Sequence, residues 1–130
     1  MSRVQLAINV TDLEAAVRFY SSLFEAEPAK RRPGYANFAL DDPPLKLVLI
    51  EGPERGGTLN HLGVEVVDTG GVGRAAARLA AEGLITEEER GVTCCYAVQD
   101  KVWVRDPDGA PWEVYTVLAD AATAGEPACC

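Results

Sequence analysis

The segment QLAINVTD, residues 5–12, aligns without a gap over HLGVEVVD, residues 61–68. The alignment continues into the helical pattern that follows, where Leu23 falls on Leu79. Self-similarity at a fixed spacing is the signature of a repeated supersecondary unit. The chain is therefore expected to contain two copies of one module, in which Gln5 and His61 are equivalent positions.

The hydrophobic periodicity predicts the same order of elements in each half of the chain. A strand over residues 4–10 has Val4, Leu6, Ile8 and Val10 on the face expected to meet the core, and Thr11 or Asp12 caps a helix to about Phe24. A second helix is expected over about residues 72–82, ended by Gly83. Three short strands follow each helix, near residues 27–31, 35–40 and 45–51, then 84–90, 96–105 and 111–118. The order is β-α-β-β-β, twice.

Turn-forming residues predict the boundaries of the two modules. Residues 52–58, rich in Gly and Pro, suit a linker, and residues 106–109 suit a tight turn. We expect one domain over residues 1–120, with module one at 1–52 and module two at 58–119. Residues 121–130 are expected to be a flexible tail that ends in cysteines.

Composition and charge exclude several classes of partner. The 130-residue chain is 48% hydrophobic and 25% charged, as in ordinary globular proteins. Its net charge of -8 argues against nucleic acid, which is bound through clustered Lys and Arg. No stretch approaches the ~20 apolar residues of a membrane helix, and the N-terminus resembles a strand rather than a signal peptide. We expect a cytoplasmic protein with no membrane partner.

The four cysteines form two adjacent pairs, Cys94-Cys95 and Cys129-Cys130. In the cytoplasm they are expected to be reduced, and neighbouring cysteines are poorly placed for an ordinary disulfide. The pattern of two adjacent pairs therefore favours reactive thiols over structural disulfide bonds. The alternative for Cys94 and Cys95 is a pair of small buried apolar residues, and a tail with no role is the alternative for Cys129 and Cys130.

Three segments resemble the vicinal oxygen chelate superfamily, which includes glyoxalase I, extradiol dioxygenases, and fosfomycin and bleomycin resistance proteins. They are VQLAINVTDLEAAVRFYSSLF at 4–24, NHLGVEV at 60–66 and VWVRDPDGAPWEVYTV at 102–117. The resemblance implies an α+β fold in which two βαβββ modules are related by pseudo-two-fold symmetry. They would form a curved mixed sheet around a metal cavity. It leaves the oligomeric state open, because members pair their modules within or between chains.

The resemblance implies a metal centre formed by Gln5, His61 and Glu113. An imidazole and a carboxylate with open positions suit iron(II), although nickel, cobalt or zinc could occupy such a site in purified protein. Gln5 departs from the second histidine usual in extradiol enzymes, and an amide oxygen is a weaker donor. The alternatives are a core histidine, a solvated glutamate and a glutamine that only forms hydrogen bonds. The last strand of module one offers no further ligand near Lys46 or Val48.

The chain is closely similar to the carbon-arsenic lyases of this superfamily, which split trivalent organoarsenicals with iron(II) and dioxygen. The resemblance assigns arsenic binding to Cys94 and Cys95. Tyr115, two residues after Glu113 on the same strand face, could hydrogen-bond oxygen or substrate, or simply line the cavity. Trp103 and Trp112 are expected to be packing residues, and Tyr35 and Phe38 an apolar wall.

Two other functions fit the same fold. The first is another metal enzyme, either an extradiol dioxygenase or a glyoxalase-like isomerase, neither of which needs Cys94 and Cys95. The second is a non-catalytic protein that binds a drug or arsenic. Release of arsenite that depends on both iron(II) and oxygen would distinguish the lyase from both.

Overall fold

The computed structural model describes residues 2–125 and confirms two β-α-β-β-β modules. Module one consists of β1 (Arg3–Val10), α1 (Leu13–Phe24), β2 (Lys30–Arg32), β3 (Tyr35–Asp41) and β4 (Pro44–Glu51). Module two consists of β5 (Thr58–Glu65), α2 (Thr69–Ala81), β6 (Glu87–Cys94), β7 (Ala97–Arg105) and β8 (Pro111–Asp120). The chain divides into two compact units, residues 4–60 and residues 61–125 together with residues 2–3.

In the unit of residues 4–60 the strands lie in the order β2-β3-β4-β1. β3 and β4 are antiparallel neighbours, whereas β1 runs parallel to β4, a pairing that needs a long connection, here the one through α1, β2 and β3. Asp12 caps α1, because its carboxylate accepts a hydrogen bond from the backbone N–H of Ala15 at 3.2 Å. Val17 and Leu13 of this helix pack with Phe38 and Leu49 of the sheet in one apolar core.

The burial of the two faces of β1 differs from the sequence expectation. Leu6 and Ile8 pack against the helix-covered core as predicted, but Val4 on the same face is 47% exposed. The opposite, more polar face is the more completely buried one, with Gln5 and Asn9 both buried. Alternation identified the two faces correctly, yet burial of polar side chains depends on partners elsewhere in the chain, which alternation does not encode.

In the unit of residues 61–125 the order is β5-β8-β7-β6, with β5 parallel to β8 and the other pairs antiparallel. The helix α2 packs on β7 and β8 through a core of Val72, Ala75 and Val102. It begins three residues earlier than predicted, because Asp68 accepts a hydrogen bond from the Gly71 N–H at 2.9 Å and caps it. Asp12 and Asp68 are equivalent in the repeat, so both copies start their helix in the same way.

The strand expected over residues 84–90 is displaced toward the C-terminus. β6 begins at Glu87 and ends at Cys94, while Ile85 is 93% exposed and outside any strand. The apolar pair Leu84-Ile85 therefore gave a misleading strand signal. β2 is also shorter than predicted, since residues 27–29 precede the strand rather than belong to it.

The start of the tail is paired rather than free. The backbone N–H of Ala121 donates to the carbonyl of Tyr96, and that of Cys95 donates to the carbonyl of Ala124, both at 2.9 Å. Gly125 forms an isolated bridge with Cys94. Cys129 and Cys130 lie outside the described residues. Within residues 2–125, neither helix is long and apolar enough to cross a membrane.

Candidate metal centre

The structure brings His61 and Glu113 into direct contact. Nε2 of His61 and Oε2 of Glu113 are 2.6 Å apart, and both side chains are almost fully buried. His61 lies on β5 and Glu113 on the neighbouring strand β8, where its Cα pairs with that of Gly63. Gly63 lies two residues after His61 on the same strand face and adds no side chain there. Two of the three predicted ligands therefore converge.

The second carboxylate oxygen of Glu113 has a partner that the sequence interpretation missed. Nζ of Lys101 lies 2.7 Å from Oε1 and donates a hydrogen bond to it. Lys101 is 1% exposed, and its Cα pairs with that of Tyr115, which places it diagonally across from Glu113. The signal that could have indicated this contact is the lysine in the middle of a strand expected to be buried. Because isolated buried charges are rare, such a lysine suggests a buried ion pair.

Trp103 holds both basic groups around the carboxylate. Its ring centroid lies 5.5 Å from that of His61 in an edge arrangement, and Nζ of Lys101 lies 5.3 Å from the centroid of the indole. Its own Nε1–H donates to Oε1 of Glu89 at 2.9 Å, which fixes the plane of the ring. Trp103 is thus a packing residue as predicted, but the side chains that it packs are those of the site.

The electrostatics of the site favour an ionised carboxylate. Burial alone would raise the pKa of Glu113, but the hydrogen bond from His61 and the positive charge of Lys101 outweigh that effect. The pKa of Glu113 therefore lies below its ordinary value. An ionised carboxylate and an imidazole nitrogen are both suitable ligands for a divalent ion.

The chemistry of the donor set suits a divalent metal. Ligand atoms at ~2.1 Å from one ion and at right angles to each other lie about 3 Å apart. The 2.6 Å between Nε2 and Oε2 is a hydrogen-bond distance, which shows that the two donor atoms are near enough to share one ion. Within residues 2–125 no cluster of three or more His, Cys, Asp and Glu side chains is arranged to hold a metal. The third predicted ligand is Gln5, an amide.

Gln5 and Tyr115 occupy the positions that the repeat and the strand alternation predicted. Gln5 is buried on β1, with its Cα paired to that of Lys46. Tyr115 is buried on β8, two residues beyond Glu113 on the same face of the strand. The assignment of Gln5 as a metal ligand and of Tyr115 as a catalytic residue stays a prediction.

The cysteine pair ends β6 and begins the turn to β7. Cys94 is fully buried, and its carbonyl accepts a hydrogen bond from the side-chain amide of Gln99 at 2.7 Å. Cys95 and Tyr96 both have left-handed backbone angles, with φ of 51° and 61°. Such angles are uncommon outside glycine and are tolerated where surrounding contacts impose them.

The redox state of this pair differs from the sequence expectation. Both Cys94 and Cys95 are disulfide-bonded in the structure, whereas reduced thiols were expected. The expectation rested on the cellular compartment, which the amino-acid pattern does not specify. Sulfur in a disulfide cannot bind arsenic as a thiolate, so this state must be reduced before either cysteine could act as predicted.

The cysteine turn and Lys101 lie at different positions along the β6–β7 hairpin. Cys94 pairs with Ala97, whereas Lys101 pairs with Glu89. The four residues from Ala97 to Lys101 correspond to about 13 Å along a strand. The structure therefore brings together His61, Glu113 and Lys101, and it places Cys94 and Cys95 further along the same hairpin.

A family model described as the Glyoxalase/Bleomycin resistance protein/Dioxygenase superfamily matches residues 3–114 of this sequence. The chain belongs to this superfamily. The fold class expected from the resemblance, with two modules of the vicinal oxygen chelate type, is thereby confirmed.

Three comparisons show which proteins the chain is similar to. Cadmium-induced protein CadI of Mycobacterium tuberculosis is 69% identical over 125 residues, which cover 96% of this chain and 82% of the relative. The trivalent organoarsenical cleaving enzyme of Thermomonospora curvata is 63% identical over 134 residues, covering 100% of this chain and 89% of the relative. The Mn(II)-bound glyoxalase from Novosphingobium aromaticivorans superposes with a TM-score of 0.65 at 22% identity, covering 95% of this chain and 42% of that chain.

Proposed function

We propose that this protein cleaves the carbon-arsenic bond of trivalent methyl or aryl arsenicals in a reaction that needs iron(II) and dioxygen and releases arsenite. The observation that carries the proposal is the 63% identity, over the whole chain, to a relative named for cleaving trivalent organoarsenicals. The buried His61–Glu113 pair and the adjacent cysteines support the proposal, because they contain metal-donor groups and sulfur, the two kinds of group that such a reaction would use. Membership of a superfamily rich in metal enzymes supports an enzymatic role.

The role of Cys94 and Cys95 is to bind the arsenic atom. After reduction, each thiol replaces one hydroxyl on trivalent arsenic with loss of one water, so that two sulfurs and one carbon surround the arsenic. Soft thiolates prefer such a thiophilic centre. Two adjacent sulfurs bind it as a chelate, which limits the positions that its organic group can occupy. Their main contribution is positioning.

The roles of His61, Glu113 and Gln5 follow from the donor set. His61 and Glu113 would hold iron(II) through Nε2 and a carboxylate oxygen, with Gln5 as the third ligand. Bound iron(II) would supply the activation of dioxygen, and three protein ligands leave positions for exogenous groups. Tyr115, on the same face of β8 as Glu113, would orient the substrate through its hydroxyl.

The overall stoichiometry balances without a further reductant. One methylarsenous acid and one dioxygen give one formaldehyde and one arsenous acid, with the carbon-arsenic bond broken and the carbon oxidised by four electrons. Arsenic remains trivalent and dioxygen accepts the four electrons. The cysteine turn and the register of Lys101 are about 13 Å apart along the strand, so the proposal predicts that the turn approaches the ion pair when it carries substrate.

The decisive experiment uses the full chain, reduced, freed of reductant and loaded anaerobically with iron(II). Methylarsenous acid is added first without oxygen and then with it, and arsenite is separated and quantified by its arsenic content. Arsenite should appear only after oxygen is admitted. The Cys94→Ser/Cys95→Ser variant should release none, whereas Cys129→Ser/Cys130→Ser, which removes the same number of thiols, serves as the matched control. Equal arsenite release by the first variant and wild type would refute the arsenic-binding role.

A binding protein without catalysis is the second candidate. The 69% identity to a protein named for its induction by cadmium favours it, because cadmium and arsenic(III) are both thiophilic. In the same experiment a binder would retain methylarsenous acid through Cys94 and Cys95 but release no arsenite with or without oxygen. An extradiol dioxygenase or glyoxalase-like enzyme would instead be insensitive to loss of both cysteines.

A further inference from the structure

The proposed function gives no role to Lys101, although its side chain is in direct contact with the candidate metal ligand Glu113. It is almost fully buried, and burial of a lysine is unfavourable unless the charge is paired. Its ammonium group donates to Oε1 of Glu113 and lies beside the indole of Trp103. These contacts fix the ammonium group at one position.

The two oxygens of Glu113 have different partners. Oε2 faces Nε2 of His61 at 2.6 Å, and Oε1 faces Nζ of Lys101 at 2.7 Å. An ion held by His61 would therefore meet Oε2, while Oε1 is retained by the lysine. A carboxylate bound to a lysine in this way offers a metal one oxygen rather than two.

The charge of Lys101 acts in the same direction. A fixed positive charge on the far side of Glu113 opposes a divalent cation, and in a buried setting that repulsion is screened far less than in water. Once Glu113 is ionised, the residue therefore weakens metal binding through two effects, repulsion and the loss of a second carboxylate oxygen.

We propose that Lys101 is a positioning residue that restricts Glu113 to one-oxygen ligation and keeps the neighbouring coordination position open for exogenous ligands. This inference rests on the proposed metal centre. It predicts that the wild-type protein binds its metal less tightly than a variant without the charge of Lys101. In return, the wild-type protein keeps a coordination position open for exogenous ligands.

The test measures metal binding directly, with cobalt(II) as the probe because its visible absorption reports coordination. Full-length wild type, Lys101→Met, Lys101→Arg and His61→Ala are titrated anaerobically. Lys30→Met, the same substitution on β2 of the other unit, is the matched control. Lys101→Met should bind cobalt(II) at least tenfold more tightly, with a changed visible spectrum, while Lys101→Arg and Lys30→Met resemble wild type. Oxygen-dependent arsenite release by Lys101→Met should fall.

The outcomes separate this inference from the proposed function. If His61→Ala binds cobalt(II) like wild type, the metal centre itself is wrong, and the role of Lys101 is refuted with it. If His61→Ala loses binding but Lys101→Met binds no more tightly and keeps the wild-type spectrum, only the role of Lys101 is refuted. Should Lys101→Met fail to fold, Lys101→Gln removes the charge in a polar side chain, and binding no tighter than wild type refutes the role.

Discussion

Replacing Glu113 by Gln in the metal-free protein should strongly destabilise the fold. The substitution preserves the size of the side chain and removes its negative charge, so the ammonium group of Lys101 remains buried without a counter-ion. Lys101 is 1% exposed and cannot reach water without local unfolding. The stability of the apo protein therefore tests whether the Lys101–Glu113 contact is a true buried ion pair.

The magnitude follows from the burial of both groups. Removing one partner of a buried ion pair costs about 3–5 kcal/mol, because the remaining charge loses its compensation. For a chain of this length, each kcal/mol corresponds to a shift of roughly 4 °C in Tm, so Glu113→Gln should lower Tm by roughly 12–20 °C. The double variant Lys101→Met/Glu113→Gln leaves neither charge of this pair buried and should recover most of the loss in stability.

The measurement is urea unfolding of wild type, both single variants and the double variant, in the presence of a chelator. A double-mutant cycle then gives the coupling free energy between Lys101 and Glu113. A coupling below about 0.5 kcal/mol, or a double variant no more stable than Glu113→Gln, would refute the buried pair. In that case Lys101 would have access to solvent in solution.

The pH dependence provides an independent check. The pKa of Glu113 is lowered in the folded state, so its unfolded form binds protons more readily than its folded form. The stabilisation is fully present above the unfolded pKa and is lost as pH falls through the lower, folded value. Wild type should thus lose stability in acid more steeply than Glu113→Gln does. Parallel stability profiles for the two proteins below the unfolded pKa would contradict this sign.

Other contacts make further predictions. A Cβ on Gly125 would lie 1.9 Å from the carbonyl oxygen of Thr93 at a φ of 83°, so Gly125→Val should detach the tail. Reduced Cys94 and Cys95 should then react faster with a thiol reagent in a Cys129→Ser/Cys130→Ser background. Gly83→Val, at a φ of 81° with open space around its Cβ, is the control, and equal reaction rates would exclude a covering role for the tail. Asp12→Ala and Asp68→Ala should each cost about 0.5–2 kcal/mol in urea unfolding through loss of a helix cap. A change below about 0.3 kcal/mol in either would show that the cap is dispensable.

The fold was predictable because the two halves of the sequence align with each other without a gap. Gln5 and His61 are equivalent in sequence, and in the structure each lies on the first strand of its module. The equivalence extends to Asp12 and Asp68, which cap their helices through the same hydrogen bond to the third residue beyond. Local patterns failed where a short apolar pair stood in a loop, as with the exposed Ile85.

Only the residues of the site that are typical metal donors were predictable from the sequence. His61 and Glu113 were predicted, together with Gln5, from the resemblance to the superfamily and from the metal-donor chemistry of imidazole and carboxylate, and the structure places these two in contact. Lys101 was missed, because a lysine in a strand normally reads as a solvated side chain. Lys101 contacts Glu113, which lies two residues from Tyr115, the residue that pairs with Lys101 across the two strands. Only the pairing of β7 with β8 shows this arrangement.

The hairpin of β6 and β7 connects the two halves of the proposed chemistry. Cys94 and Cys95 lie at its turn, and Lys101 and Trp103 lie further along β7, beside Glu113. Asp100 also fixes this hairpin, since its carboxylate accepts hydrogen bonds from the Gly91 N–H at 2.7 Å and from the Thr69 hydroxyl at 2.8 Å. A movement of the turn toward the ion pair must therefore occur beyond Asp100, within the few residues between Asp100 and the cysteines. Those residues include the register shift between Val98 and Gln99, where the strand pairing is already irregular. The proposed function therefore predicts movement in this short segment, rather than in the part of β7 that carries Lys101.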